Sequence, residues 1–176
     1  DLKLWPNYNF SKLDIIKNYT SKKYDTILAL SLIFIFDNTM LDKFFKNVNK
    51  SLNNDGYLIL DSAGSPDNYL TFFINDVLLK IEVNLIQFLK SFINKGNSVT
   101  KVHHGYRRND QEIIDFAKKN GFILIDSKNY SFFTEFKRSY ILNFFIKRFS
   151  LIKFLLKPFG KKTPYIRMFL FKKISV

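Results

Sequence analysis

The run from Tyr24 to Leu30 is short and almost wholly apolar, and it predicts a strand buried on both faces. Asp37 or Asn38 then offers an N-cap. Met40, Leu41, Phe44, Phe45, Val48 and Leu52 follow at helical spacing, with Asp42, Lys43, Lys46 and Lys50 between them. Asn53-Asn54-Asp55-Gly56 reads as a turn, and Tyr57 to Leu60 as a second buried strand closed by Asp61 and the small residues Ser62, Ala63 and Gly64. Strand, helix, turn and strand within about 40 residues make a right-handed crossover and therefore a parallel sheet.

Ser65-Pro66 starts a helix that the pattern carries to Lys95-Gly96, long enough to be broken in two, with Asp76, Lys80, Asn84, Gln87 and Ser91 along one polar stripe. Asn109 and Glu112 stand at capping-box spacing ahead of Ile113, Ile114, Phe116 and Ala117, and Asn120-Gly121 ends that helix. Phe122 to Ile125 is a third strand. Tyr165 to Phe171 is a fourth, and its alternation predicts a place near a sheet edge. Between them lies a Phe- and Lys-rich helical stretch, roughly Thr134 to Leu156, stopped by Lys157-Pro158.

At 176 residues and 47% apolar types, the chain suits one domain with a real core. It has no cysteine, which excludes disulfides, thiolate metal sites and a cysteine nucleophile. Its two histidines are adjacent, so no metal site is expected. No apolar run approaches the roughly 18 residues of a membrane-spanning helix. No signal-peptide pattern is seen, so the expected location is cytoplasmic, at most peripheral at a membrane. The formal charge of +13 is uneven: residues 1–100 hold 11 Lys+Arg and 10 Asp+Glu, whereas residues 101–176 hold 17 and 5. From residue 127 onward the only acid is Glu135. Such asymmetry predicts one cationic binding face.

Four stretches in this order resemble a class I S-adenosylmethionine-dependent methyltransferase of the small-molecule "type 11" kind. Lys23-Tyr24-Asp25-Thr26-Ile27-Leu28-Ala29-Leu30-Ser31 is similar to the family's fourth strand, opened by an aromatic-Asp pair. Leu52-Asn53-Asn54-Asp55-Gly56-Tyr57-Leu58-Ile59-Leu60 is similar to the turn and fifth strand. Gly105-Tyr106-Arg107-Arg108 through Glu112-Ile113-Ile114 to Asn120-Gly121-Phe122 resembles the following helix and sixth strand, and Tyr165 to Phe171 the antiparallel seventh. The resemblance implies an α/β, Rossmann-like, doubly wound and mostly parallel sheet with an antiparallel last strand. It also implies a single domain over 1–176, with helical cover insertions at about 65–96 and 131–162. No glycine precedes Gly56, so the N-terminal strands and their Gly-rich cofactor turn are expected to be missing from this chain. Phe34 and Ile35 stand where the family often carries a Glu and a His.

By that resemblance the cofactor is S-adenosylmethionine, and its contacts are Asp1 at the ribose, Asp14 and Ile15 at the adenine, and Leu30 and Ser31 at the end of the strand. Asp14 reads equally well as a surface acid before a loop, and Ser31 as a strand-end hydroxyl bonded to its own backbone. His103-His104-Gly105-Tyr106-Arg107-Arg108 is the richest chemical cluster. Either His103 or His104 suits a proton acceptor, and Tyr106, Arg107 and Arg108 suit the holding of a carboxylate or phosphate on the acceptor. A basic loop capping a helix is the plainer reading. The expected reaction is methyl transfer to an oxygen or nitrogen of a small-molecule, glycan or lipid-linked acceptor. The alternative is a noncatalytic module docking on an anionic membrane or RNA through its basic C-terminal section. Lys147, Lys153, Lys157 and Lys161, beside Phe144, Phe145 and Phe149, suit a membrane interface better than nucleic acid, because the rings follow helical spacing instead of a strand platform; a helix covering the sheet with its cationic face in water is the plainer reading.

Overall fold

The computed structural model describes residues 12–67, 72–93, 105–130, 139–152, 154–155 and 166–174. In chain order the elements are β1 (Tyr24–Ala29), a 3-10 turn (Ile33–Ile35), α1 (Asn38–Ser51), β2 (Leu52–Ala63), a π-turn (Phe73–Leu78) and α2 (Leu79–Ile93). They continue with α3 (Asp110–Lys119), β3 (Phe122–Tyr130), α4 (Tyr140–Arg148) and β4 (Ile166–Lys173).

The sheet order is β1-β2-β4-β3. β1 and β2 pair in parallel, and β4 runs antiparallel to both β2 and β3, so three strands point one way and the last opposes them. This is the mixed α/β sheet that the motifs implied. The antiparallel strand lies one place in from the edge, paired on both sides between β2 and β3. Its alternation follows from its two faces. Phe169 and Phe171 face the helices and are buried, whereas Met168, Leu170 and Lys172 face the opposite side and are only partly covered. β1 departs from expectation, because it pairs with β2 alone among the described residues. Leu28 is 58% exposed and only Ala29 is fully buried in the strand.

α1 forms because Leu41, Phe44, Phe45 and Val48 recur on one face and Asp37 caps its start, its carboxylate accepting the Met40 N–H at 2.8 Å. That stripe packs with Ile113 and Ala117 of α3 on Leu58, Leu60, Phe122, Phe169 and Phe171 of the sheet. Each such fully buried side chain contributes about 1.5–3 kcal/mol. α3 carries the expected capping box: Asn109 accepts the Glu112 N–H at 2.8 Å, and the Glu112 carboxylate accepts the Asn109 N–H at 3.0 Å. Asn53 to Gly56 has turn chemistry, with Asp55 at φ 60°, yet it sits inside the ladder as a bulge. Tyr24 pairs with Leu52 and Thr26 already with Tyr57.

Asp42 ties the two core helices together. Its carboxylate meets Lys46 at 2.7 Å, Lys119 at 3.1 Å and the Asn120 amide at 3.2 Å. The bonds from Lys46 and Asn120 hold its pKa down from 3.8 to about 2. A depressed carboxylate stabilises the fold above its unfolded pKa and loses that contribution as pH falls towards the folded value. Both lysines are more than half exposed, so solvent screening cuts the effect to roughly 1 kcal/mol. Urea titrations of Asp42→Asn should show that loss at neutral pH and only a small part of it near pH 2. An equal loss at both would mean that packing, not charge, is what changed.

The remaining helices form a pair of their own. Ile74 and Ile146 are buried against each other with Leu142 and Ile152 around them. The long helix expected from Ser65 opens irregularly, with the π-turn preceding α2. Glu82 of α2 is buried and caps α4 from outside: it accepts the Ser139 hydroxyl at 2.5 Å and the N–H groups of Tyr140 and Ile141 at 2.9 and 3.1 Å. A carboxylate is favoured there because the helix start presents unpaired N–H groups.

Candidate active site

In open parallel sheets, ligands bind beyond the carboxyl ends of the strands. Here that place is the turn leaving β1. Ser31 adopts φ 54°, in the left-handed region, and its N–H donates to the Asp61 carboxylate at 2.5 Å. Asp61 is 9% exposed and lies near the carboxyl end of β2, so the second strand fixes the exit of the first. Leu30 and Ile35, each 50% exposed, leave apolar surface at the same turn.

Residues 105–110 close over this turn from the other side. Gly105 takes φ 75°, and a Cβ there would lie 2.6 Å from the Phe34 carbonyl oxygen, so both conformation and space require glycine. The neighbouring Tyr106 N–H donates to that same carbonyl at 2.5 Å. Arg108, 5% exposed, reaches beneath the turn and donates to the carbonyls of Ile33 at 3.3 Å and Phe36 at 2.6 Å, and to Asn38 Oδ1 at 3.0 Å. Burial pulls its pKa below the ordinary guanidinium value. A second buried cation, Arg167 at the start of β4, donates to Ser62 Oγ at 3.3 Å and to the Arg108 carbonyl at 2.9 Å, and pairs with Asp110. Burial lowers its pKa to about 10.

Leu30, Ser31, Tyr106 and Arg108 thus meet around residues 31–37, with Arg107 half-buried beside them. Arg108, expected to hold an acceptor, is engaged with backbone carbonyls and acts here as a latch. Asp14 and Ile15 are not brought to this turn. The Ile15 carbonyl accepts from Asn47 near the far end of α1, which lies roughly 15 Å along the helix from its Asp37 cap. The Asp14 carboxylate accepts from Ile16 N–H at 3.1 Å and pairs with exposed Lys17, which is its turn-forming reading. Asp1, His103 and His104 lie outside the described residues. Asp61 and Arg167 had weaker signals: an acid ending an apolar strand, and a lone cation inside one.

These groups fit one side of S-adenosylmethionine. Leu30 and Ile35 leave apolar surface for its adenine or aliphatic chain, while the buried Asp61 carboxylate holds the turn beside them through the Ser31 N–H. A Gly-rich turn and a ribose-binding acid are not among the described residues of this end of the sheet.

No protein-family model matches the chain, and no curated protein matches it. Solved structures do. The N-methyltransferase NodS from Bradyrhizobium japonicum WM9 superposes with a TM-score of 0.51 at 12% identity, over 98% of this chain and 64% of that one. The same enzyme in complex with S-adenosyl-L-homocysteine gives 0.50 at 11% identity, over 98% and 58%. PKMT2 from Rickettsia typhi gives 0.53 at 15% identity, over 93% of this chain and 38% of that one. The chain therefore spans less than two thirds of the length of each of these structures. With its strand order, its antiparallel strand set between two that run the other way, and these likenesses, the chain has the fold of class I S-adenosylmethionine-dependent methyltransferases.

Proposed function

We propose that the protein takes part in S-adenosylmethionine-dependent methyl transfer to an oxygen or nitrogen of a small-molecule, glycan or lipid-linked acceptor. The observation that carries this reading is the Ser31 turn, held in a left-handed conformation by Asp61 and latched by Arg108 at the carboxyl end of a parallel strand pair. When bound, S-adenosylmethionine supplies a methyl group already made electrophilic by its sulfonium. The protein's part is then mainly to position the two partners and exclude water. Leu30 and Ser31 form one wall for the cofactor, and Tyr106 and Arg107 border the acceptor. His103 or His104, three and two residues before Tyr106, accepts the acceptor's proton. The helical insertions form a cover: β2 ends at Ala63 and β3 at Tyr130, both paired with Ile166, so both insertions leave from one corner of the sheet.

Calorimetry with S-adenosylmethionine and S-adenosylhomocysteine tests the reading. Binding of both is expected, weakened about tenfold in Asp61→Ala, where the Ser31 N–H loses its acceptor. Failure of a folded parent protein to bind either would overturn it. That outcome would favour the noncatalytic docking module.

A further inference from the structure

α4 is amphipathic in an unusual sense. Its inner stripe, Leu142 and Ile146, packs into the helical pair. At 3.6 residues per turn, the positions opposite that stripe are Tyr140, Phe144 and Lys147. A helix that merely covers a protein body presents polar side chains there. Here Tyr140 is 69% and Phe144 62% exposed. Apolar side chains continue beyond the helix, with Leu151 67% and Phe154 71% exposed. Lys147 and Arg148 are exposed at its last turn.

No acid follows Glu135 in the chain, and Glu82, the acid that reaches α4 from α2, is buried under its first turn. We propose that this aromatic and cationic face docks the protein on an anionic lipid surface, with the rings of Tyr140 and Phe144 entering the headgroup boundary and Lys147 and Arg148 meeting acidic headgroups. Interfacial helices of this composition bury their apolar side about 5–10 Å deep. A second copy of the chain fits less well, since its α4 carries no acid for Lys147 and Arg148 to meet. RNA also fits less well, because Leu151 and Leu155 offer no surface for base stacking. The cationic residues Lys153, Lys157 and Lys161, which the sequence places on the same run, lie outside the described residues. The proposal rests on this face alone and holds whether or not the protein transfers methyl groups.

Vesicle sedimentation decides it. The full chain should sediment with vesicles of phosphatidylcholine and phosphatidylglycerol, and much less with phosphatidylcholine alone. Raising the salt should release it, because exposed charges are screened over roughly 8 Å at physiological ionic strength. Lys147→Gln with Arg148→Gln should weaken binding about fivefold for each charge removed. Tyr140→Ser with Phe144→Ser should weaken it at least tenfold by removing the inserted surface. Circular dichroism checks that both variants stay folded, and cofactor calorimetry should read the same in both as in the parent. The proposal is overturned if the folded parent ignores anionic vesicles, or if neither variant changes binding. It is equally overturned if the parent instead binds single-stranded RNA, or forms a dimer that Phe144→Ser dissolves.

Discussion

Gly105→Ala is expected to destabilise the protein by roughly 2–4 kcal/mol, combining the strain of a left-handed residue with a backbone clash. Gly105 sits at φ 75°, and the added methyl would lie 2.6 Å from the Phe34 carbonyl oxygen. That oxygen cannot simply turn aside, because it accepts the Tyr106 N–H at 2.5 Å. The turn or residues 105–106 must therefore move. Gly121→Ala is the internal control. Its φ is 82°, but its methyl would meet Asn49 Nδ2 at 2.9 Å, the far end of a side chain that can give way. Urea unfolding should place the Gly105 variant well below the Gly121 variant. Similar losses would show that the φ penalty acts alone and that the close approach of the two segments is relaxed at no cost. Because the displaced segment borders Ser31, the Gly105 variant should also bind S-adenosylmethionine more weakly.

The local parts of this arrangement are legible in the sequence, and the long-range parts are not. The Asn109–Glu112 box and the Leu41, Phe44, Phe45, Val48 stripe follow from spacing within one element, where chain and contact distance coincide. The bond between Arg108 and the Phe36 carbonyl spans 72 residues, and its acceptor is backbone, which no residue type announces. Arg108 read naturally as a ligand-binding cation because a guanidinium beside a tyrosine and a second arginine has the right chemistry. Only burial assigns it to the turn instead. The basic C-terminal section divides in a similar way. Lys173 donates to the Asn49 and Leu52 carbonyls at the end of α1, Lys172 meets Asp55 at 3.0 Å, and Arg167 is internal. Part of that charge thus serves the fold itself, which a sum over the sequence does not show. β1 misled for a different reason: an apolar strand signals that both faces want cover, but the sequence of that strand does not say which segment supplies it.

Arg108→Met should cost roughly 3 kcal/mol, since breaking a buried, hydrogen-bonded charge leaves its acceptors without partners. The Phe36 carbonyl and Asn38 Oδ1 would lose their bonds of 2.6 and 3.0 Å, while the Ile33 carbonyl would keep the Phe36 N–H at 3.3 Å. Part of the loss is offset, because a methionine no longer carries a charge that burial disfavours. Arg108→Lys separates charge from geometry. A lysine keeps the cation but is a point donor, so it cannot span the Ile33 and Phe36 carbonyls as the two guanidinium nitrogens do, and it should recover less than half of the stability. Cofactor affinity should fall in both variants in step with the denaturation midpoint, because the latch and the Ser31 turn share residues 31–37. If Arg108 instead served chiefly to hold an acceptor's carboxylate or phosphate, the midpoint would stay near that of the parent and only the Michaelis constant for the acceptor would rise. An unchanged midpoint in Arg108→Met would therefore remove the latch and return this guanidinium to the acceptor site.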